Sequence, residues 1–266
     1  MQPAITIAHL KRNAKLAEAN TGSFTVIRSG EWPRKLLSTL LLTEGFLILL
    51  YWIEALFPHP EFQALTDLNG EGNLPAWFSS SQILLIATGA GILTLLRGNK
   101  DAPSRPFLIL FASGAIWWSM DESAQLHERI THNIGVRYVD WLPEFLLSHK
   151  AISLLIAVAA IVALRAVWKE LALLWRDFRR CCLIAAAGAS VCLIGGVVLE
   201  TLGYRLIPAE SAMLWRIEIT MEEFFETSGA SLILYAVSLL VSQRLTAIAS
   251  SDLQSTSGEK GEQLAA

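Results

Sequence analysis

The chain has 266 residues, 53% of them hydrophobic and 17% charged, with a formal net charge of −3 at pH 7 and a mean hydropathy of +0.45. Its apolar residues fall in blocks near the ~20 residues that cross a bilayer, with charges clustered between the blocks. That distribution excludes a soluble globular domain and predicts an all-α, polytopic membrane helix bundle. Cys181, Cys182 and Cys192 form no C-x-x-C pattern, so free thiols and no zinc cluster are expected. The basic residues flank apolar blocks without a groove-like pattern, which argues against a nucleic-acid partner.

Residues 1–35 hold no long apolar core, so no cleavable signal peptide is expected, and "AITIAHLKRNAKLAEA" has the pattern of an amphipathic interfacial helix. About six spans follow, near residues 36–57, 74–96, 106–128, 142–168, 181–206 and 212–243. Lys and Arg gather before the first span, between the second and third, and between the fourth and fifth, while the loop at 58–73 has none. By the excess of basic residues on the cytoplasmic side, both termini are predicted to be cytoplasmic. Residues 1–35, 36–243 and 244–266 then read as an interfacial segment, the bundle and a disordered cytoplasmic tail.

Within "RAVWKELALLWRDFRR", Arg165, Lys169, Arg176 and Arg180 share one helical face, and Trp168, Leu171, Trp175 and Phe178 the other. Besides the bilayer itself, anionic inner-leaflet lipids are the expected partners of residues 165–180. Gly188, Cys192 and Gly196 recur every fourth residue of the fifth span, a spacing that lets helices approach closely.

The polar ends of two spans carry the chemistry. In "SMDESAQLHERI", Asp121, Gln125 and Glu128 share a helical face below Gly114 and Trp118, with Glu122 bordering it. His127 turns inward only if the helix ends early. In "WRIEITMEEFFETSGASL", Glu218, Glu222 and Glu226 recur at i, i+4 and i+8, Glu223 borders that stripe, and Gly229 continues it. Glu54 beside Tyr51 on the first span, Glu200 on the fifth, and Glu144 and His149 around the fourth are expected at the same depth. Glu61, Glu71, Asp67 and Asp140 read as hydrated ends, and Glu44 as an isolated mid-depth acid on the first span.

Two unit charges ~4 Å apart repel by ~4 kcal/mol at an effective dielectric of 20, so several carboxylates in one pocket need compensation. Arg216 and Arg129 are the nearest cations, with Arg137 and Arg205 beyond them. Either some acids stay protonated or a bound metal supplies the charge, and intramembrane acids default to function. Three readings stay open. The first is a metal site, enzymatic or not, with ligands Asp121, Glu122, His127, Glu128, Glu222 and Glu226; this set favours Mn, Fe or Ca over Zn. The second is a proton- or cation-coupled transporter or channel subunit. The third is a structural or assembly protein with a buried acidic network. Glu54, Gln125, Glu200, Glu218 and Glu223 are further polar candidates.

The D-E-x4-H-E end formed by Asp121, Glu122, His127 and Glu128, together with Glu222, Glu223 and Glu226 on the last span, resembles a group of uncharacterised bacterial polytopic inner-membrane proteins. The resemblance covers those two helices and the number of spans, and implies no activity. "EEFFET" departs from the E-E-x-x-x-R motif of intramembrane CAAX-type proteases, with Thr227 where the arginine belongs.

Overall fold

The computed structural model describes residues 31–70, 72–98, 103–124, 126 and 149–265, and every regular element among them is helical. In chain order they are α1 (Glu31–Leu56), α2 (Pro60–Thr66), α3 (Leu74–Leu96), α4 (Arg105–Ala124), α5 (His149–Leu193), a π-helical turn (Ile194–Leu199), α6 (Glu200–Leu206) and α7 (Ala212–Ala265). Four stretches are long and apolar enough to cross a membrane: Glu31–Leu56, Leu74–Leu96, Arg165–Gly203 and Ala212–Ser250. The third expected span coincides with α4, which falls outside that set; its second half carries Trp117, Trp118, Ser119, Asp121 and Glu122. The first residues of the expected fourth span, and the expected N-terminal amphipathic helix through residue 30, lie outside the described residues.

The packing is that of a protein bathed in lipid. On α1, Leu40, Glu44, Leu47, Tyr51 and Glu54 are buried at alternating four- and three-residue steps, the stripe a helix turns toward its neighbours. The opposite face is apolar and open, with Leu42 75% exposed and Phe46 56% exposed. Charged side chains inside and bare leucines outside invert the arrangement water imposes and suit hydrocarbon. The chain is an integral membrane protein.

The second stretch is set by its entry. Asn73 caps α3 by accepting from the Ala76 N–H at 3.1 Å, and its amide donates to Asp67 O at 2.6 Å and Gly70 O at 2.9 Å. Gly72, at φ 69°, supplies the left-handed residue just before the cap. Ser80 and Ser119 then exchange hydrogen bonds, each hydroxyl donating to the other's carbonyl at 2.8 Å, which clamps α3 to α4. Such interhelical bonds contribute about 0.6 kcal/mol each in a membrane.

Two expectations are corrected. The segment 165–180 does not begin as a separate helix: it continues the helix before it, and the break comes at Phe178, near its expected end. No Gly or Pro occurs between residues 149 and 187, so α5 runs through it, broken only at Phe178 (φ −135°, ψ 42°). Leu174 and Phe178 pack on the core of Leu93, Leu108, Cys181 and Leu239, while Trp168 and Trp175 stay exposed. The polar tail, expected to be disordered, is helical to Ala265 as the end of α7; it lacks proline and carries Glu, Lys, Gln and Ala, which favour helix. Cys181, Cys182 and Cys192 are free thiols.

Candidate acidic site

The last helix has two polar faces, and each meets a different neighbour. Toward α1, Arg216 binds Glu54 at 3.0 Å, donates to Tyr51 O at 2.8 Å and lies over the Tyr51 ring, 4.4 Å from its centroid. Trp52 Nε1 donates to Thr220 Oγ1 at 3.2 Å. Deeper along the same contact, Ser231 Oγ donates to Glu44 Oε1 at 2.5 Å. The partners on α1 fall from 54 to 52 to 44 as those on α7 rise from 216 to 220 to 231, so the two helices run antiparallel.

The other face meets the glycines of the fifth expected span. A Cβ at Gly188 would stand 2.6 Å from Gly229 O, and one at Gly195 would stand 2.8 Å from Glu222 O and 2.9 Å from Glu226 Cγ. A Cβ at Gly196 would run into the Glu226 carboxylate, and one at Gly203 into that of Glu218. Cys192 Sγ donates to Glu226 O at 3.3 Å. The stripe Glu218, Glu222 and Glu226 thus lies against nearly bare backbone. The expected small-residue face of Gly188, Cys192 and Gly196 is the surface that admits it. Gly195 and Gly196 open the π-helical turn, a local widening that recurs at functional sites.

The third wall comes from α4. Ser119 faces α3, and Glu122 follows it one turn later. Glu122 lies within electrostatic range of both Glu223 and Glu226. Glu200 acts on Glu218, Glu222 and Glu226, and Asp67 acts on Glu223. Glu218 and Glu222 act on each other one turn apart on α7. The charges acting on Glu222, Glu223 and Glu226 are all carboxylates. One helical end therefore gathers Glu122, Glu218, Glu222, Glu223 and Glu226, with Asp67 and Glu200 at its edge.

Residues 37–241 match the family model described as Domain of unknown function (DUF8692). The chain belongs to that family. No curated protein and no solved structure matches it. The DUF8692 region takes in both polar faces of α7 and each partner named above, from Glu44 to Ser231.

Within this DUF8692 chain some expected groups part company with the cluster. Glu54 is not one of its members, because the salt bridge to Arg216 occupies it, and Arg216 is accordingly not the counter-ion expected for the acidic stripe. On α4 the expected face of Asp121, Gly114 and Trp118 is not the one turned inward: Gly114 has open space beside it and Trp118 is exposed. Asp121 is half-buried and makes interactions of its own. Gln125, His127, Glu128, Arg129, Arg137, Asp140 and Glu144, and also Glu71, lie outside the described residues. Among the described residues no three His, Cys, Asp or Glu side chains are arranged to hold a metal ion. Sequence reasoning read Asp67 as a hydrated end and missed Gln82, Thr227 and Ser231 as polar partners. Asp67 and Gln82 sit singly in their segments, and only the serine and threonine spacing on α7 could have pointed to the other two.

Proposed function

We propose that this protein sits in a bacterial inner membrane with both termini in the cytoplasm and that its acidic end is a cation-exchange site. As it stands the site holds protons, and a divalent metal, Mn, Fe or Ca rather than Zn, competes for the same carboxyls. One observation carries the reading: Glu122, Glu222, Glu223 and Glu226 converge from two helices, while Arg216, on the same helix as three of them, is already bound to Glu54. The crowding of Glu200, Glu218, Glu222 and Glu226 supports the proton half, since carboxylates gathered this way do not all ionise without compensation. The metal half needs His127 and Glu128, outside the described residues, beside Asp121, Glu122, Glu222 and Glu226, because the described acids alone are not arranged to hold an ion. In that state the protein is a proton- or cation-coupled transporter, a channel subunit or a membrane metalloprotein. Residues 165–180, basic and flanked by exposed Trp168 and Trp175, are the proposed contact with anionic lipid headgroups.

The test is a metal titration of the detergent-purified protein in weak buffer, reading bound metal and released protons together. Binding with proton release, both reduced in Glu222→Gln, is the expected result. If no metal binds, no protons appear, and Glu222→Gln only lowers thermal stability, the acids are a structural network and the exchange reading fails. Orientation is tested with an alkaline phosphatase fusion at Asn69, which is expected to be active; an inactive fusion there reverses the topology.

A further inference from the structure

A second polar site lies deeper, away from the acidic stripe. Glu44 is near the middle of α1, roughly 20 Å of helix from either end at ~1.5 Å per residue. It is 2% exposed, and its two closest polar partners are just as buried, Gln82 at 1% and Ser231 at 0%. The three form a closed set. Gln82 Nε2 donates to Ser231 Oγ at 2.8 Å and to Glu44 Oε1 at 3.1 Å, and Ser231 Oγ donates to the same Oε1 at 2.5 Å.

Both of these bonds to Glu44 end on one carboxyl oxygen. The other, Oε2, is buried with no hydrogen-bond partner, as is Gln82 Oε1. A carboxyl with one crowded oxygen and one bare one is unfinished, because buried polar atoms go unpartnered only at a cost of a few kcal/mol. Glu44 also lines a cavity of about 10 Å³ whose other walls include Leu47, Phe78, Glu223 and Thr227. That volume is about what one water needs, and such a water requires two to four polar partners. Glu44, Glu223 and Thr227 can supply them. Leu47, Leu68, Pro75 and Phe78 close the remaining sides.

We infer that this cavity is an internal water and proton site, with one water lying between Glu44 and Glu223 and with Glu44 as the carboxyl that holds and releases the proton. In the neutral form the Oε2–H of Glu44 donates to the water. On release that proton passes to the water, and another proton of the same water passes to a base of the bulk solvent. The water is left unchanged and Glu44 is left anionic, with the Ser231 hydroxyl and the Gln82 amide as donors to it. The groups that face Glu44 are Gln82 from α3 and Glu223, Thr227 and Ser231 from α7. Behind Glu223, Asp67 and Glu122 act on its carboxyl.

The site needs no metal at the acidic end, so a metal titration that reads nothing leaves it in place. Its test is pH-jump infrared difference spectroscopy on the full chain in lipid nanodiscs, in water and in deuterium oxide. The expected result is a protonated-carboxyl band that shifts in deuterium oxide and is lost in Glu44→Gln. Ser231→Ala removes one donor and is expected to move the band without abolishing it. Thr227→Ile, which fills the cavity, is expected to slow its deuterium shift. Superimposable spectra of the wild type and Glu44→Gln overturn the inference. If Glu44→Gln does not fold, a band that stays put in Ser231→Ala and exchanges at the wild-type rate in Thr227→Ile overturns it equally.

Discussion

Single residues decide which acids are neutralised. Glu54, 4% exposed, has its charge balanced by Arg216 at 3.0 Å. Removing one partner of such a pair strands the other, at a cost of about 3 kcal/mol or more, whereas removing both costs far less. Arg216→Met is therefore expected to lower the thermal midpoint sharply. Arg216→Met combined with Glu54→Leu should recover most of the loss, as read by thermal unfolding in a single detergent. Equal losses in the single and double variants mean that the pair is incidental. The stripe of Glu218, Glu222 and Glu226 could be read from sequence because its period belongs to one helix. The Arg216–Glu54 pair could not, since its members stand 162 positions apart and nothing local ties an arginine on one span to a glutamate on another. For the same reason Glu44 reads as isolated until Gln82 and Ser231 are brought to it.

Among the elements, the contact between the fifth span and α7 is the tightest, and backbone sets it. At Gly188 and Gly195 an added Cβ meets main-chain oxygens of α7 at 2.6 and 2.8 Å, which cannot swing aside as a side chain can. Overpacking of this kind costs about 1–3 kcal/mol. Gly188→Leu and Gly195→Leu are expected to destabilise the protein by at least that much, and Gly196→Ala by less, because the obstacle there is the mobile carboxylate of Glu226. Gly91→Ala, where nothing lies within 4 Å, is expected to be neutral or mildly stabilising. Thermal midpoints of the four variants, compared in one detergent, check the ranking, and a Gly91→Ala loss as large as that of Gly195→Leu contradicts it. The four-residue spacing of small side chains announced this contact. The π-helical turn within it was not announced, because Gly195 and Gly196 fit an ordinary helix equally well until a neighbouring helix comes this close.

For the whole molecule, the helical class and the membrane-spanning character followed from block length and hydropathy. Where the helices stop was less legible. The reading placed breaks where composition turned polar, at 165–180 and after 243. Helix runs on into 165–177 and past 243, because charged and polar residues do not by themselves end a helix. Leucines are both buried in the core and exposed on the outside in this molecule, so hydropathy alone marks the spans without marking their faces.

The distances along the chain between partners carry a consequence for how the protein is made. Glu54 waits for Arg216 across 162 positions, and Glu44 for Ser231 across 187. Synthesis runs from the N-terminus, so α1 is delivered to the bilayer while its partners on α7 do not yet exist. A lone acid at the centre of a spanning helix costs about 2.5–3.5 kcal/mol, and α1 carries Glu44 there and Glu54 two residues from its end. The nascent first helix is thus a marginal passenger, retained by the insertion machinery until the last helix emerges and latches it. A chain stopped at residue 211 is expected to be cleared rapidly by quality-control proteases, and the same truncation with Glu44→Leu and Glu54→Leu is expected to accumulate. Pulse-chase labelling distinguishes the two, and equal lifetimes would mean that α1 settles without its latch.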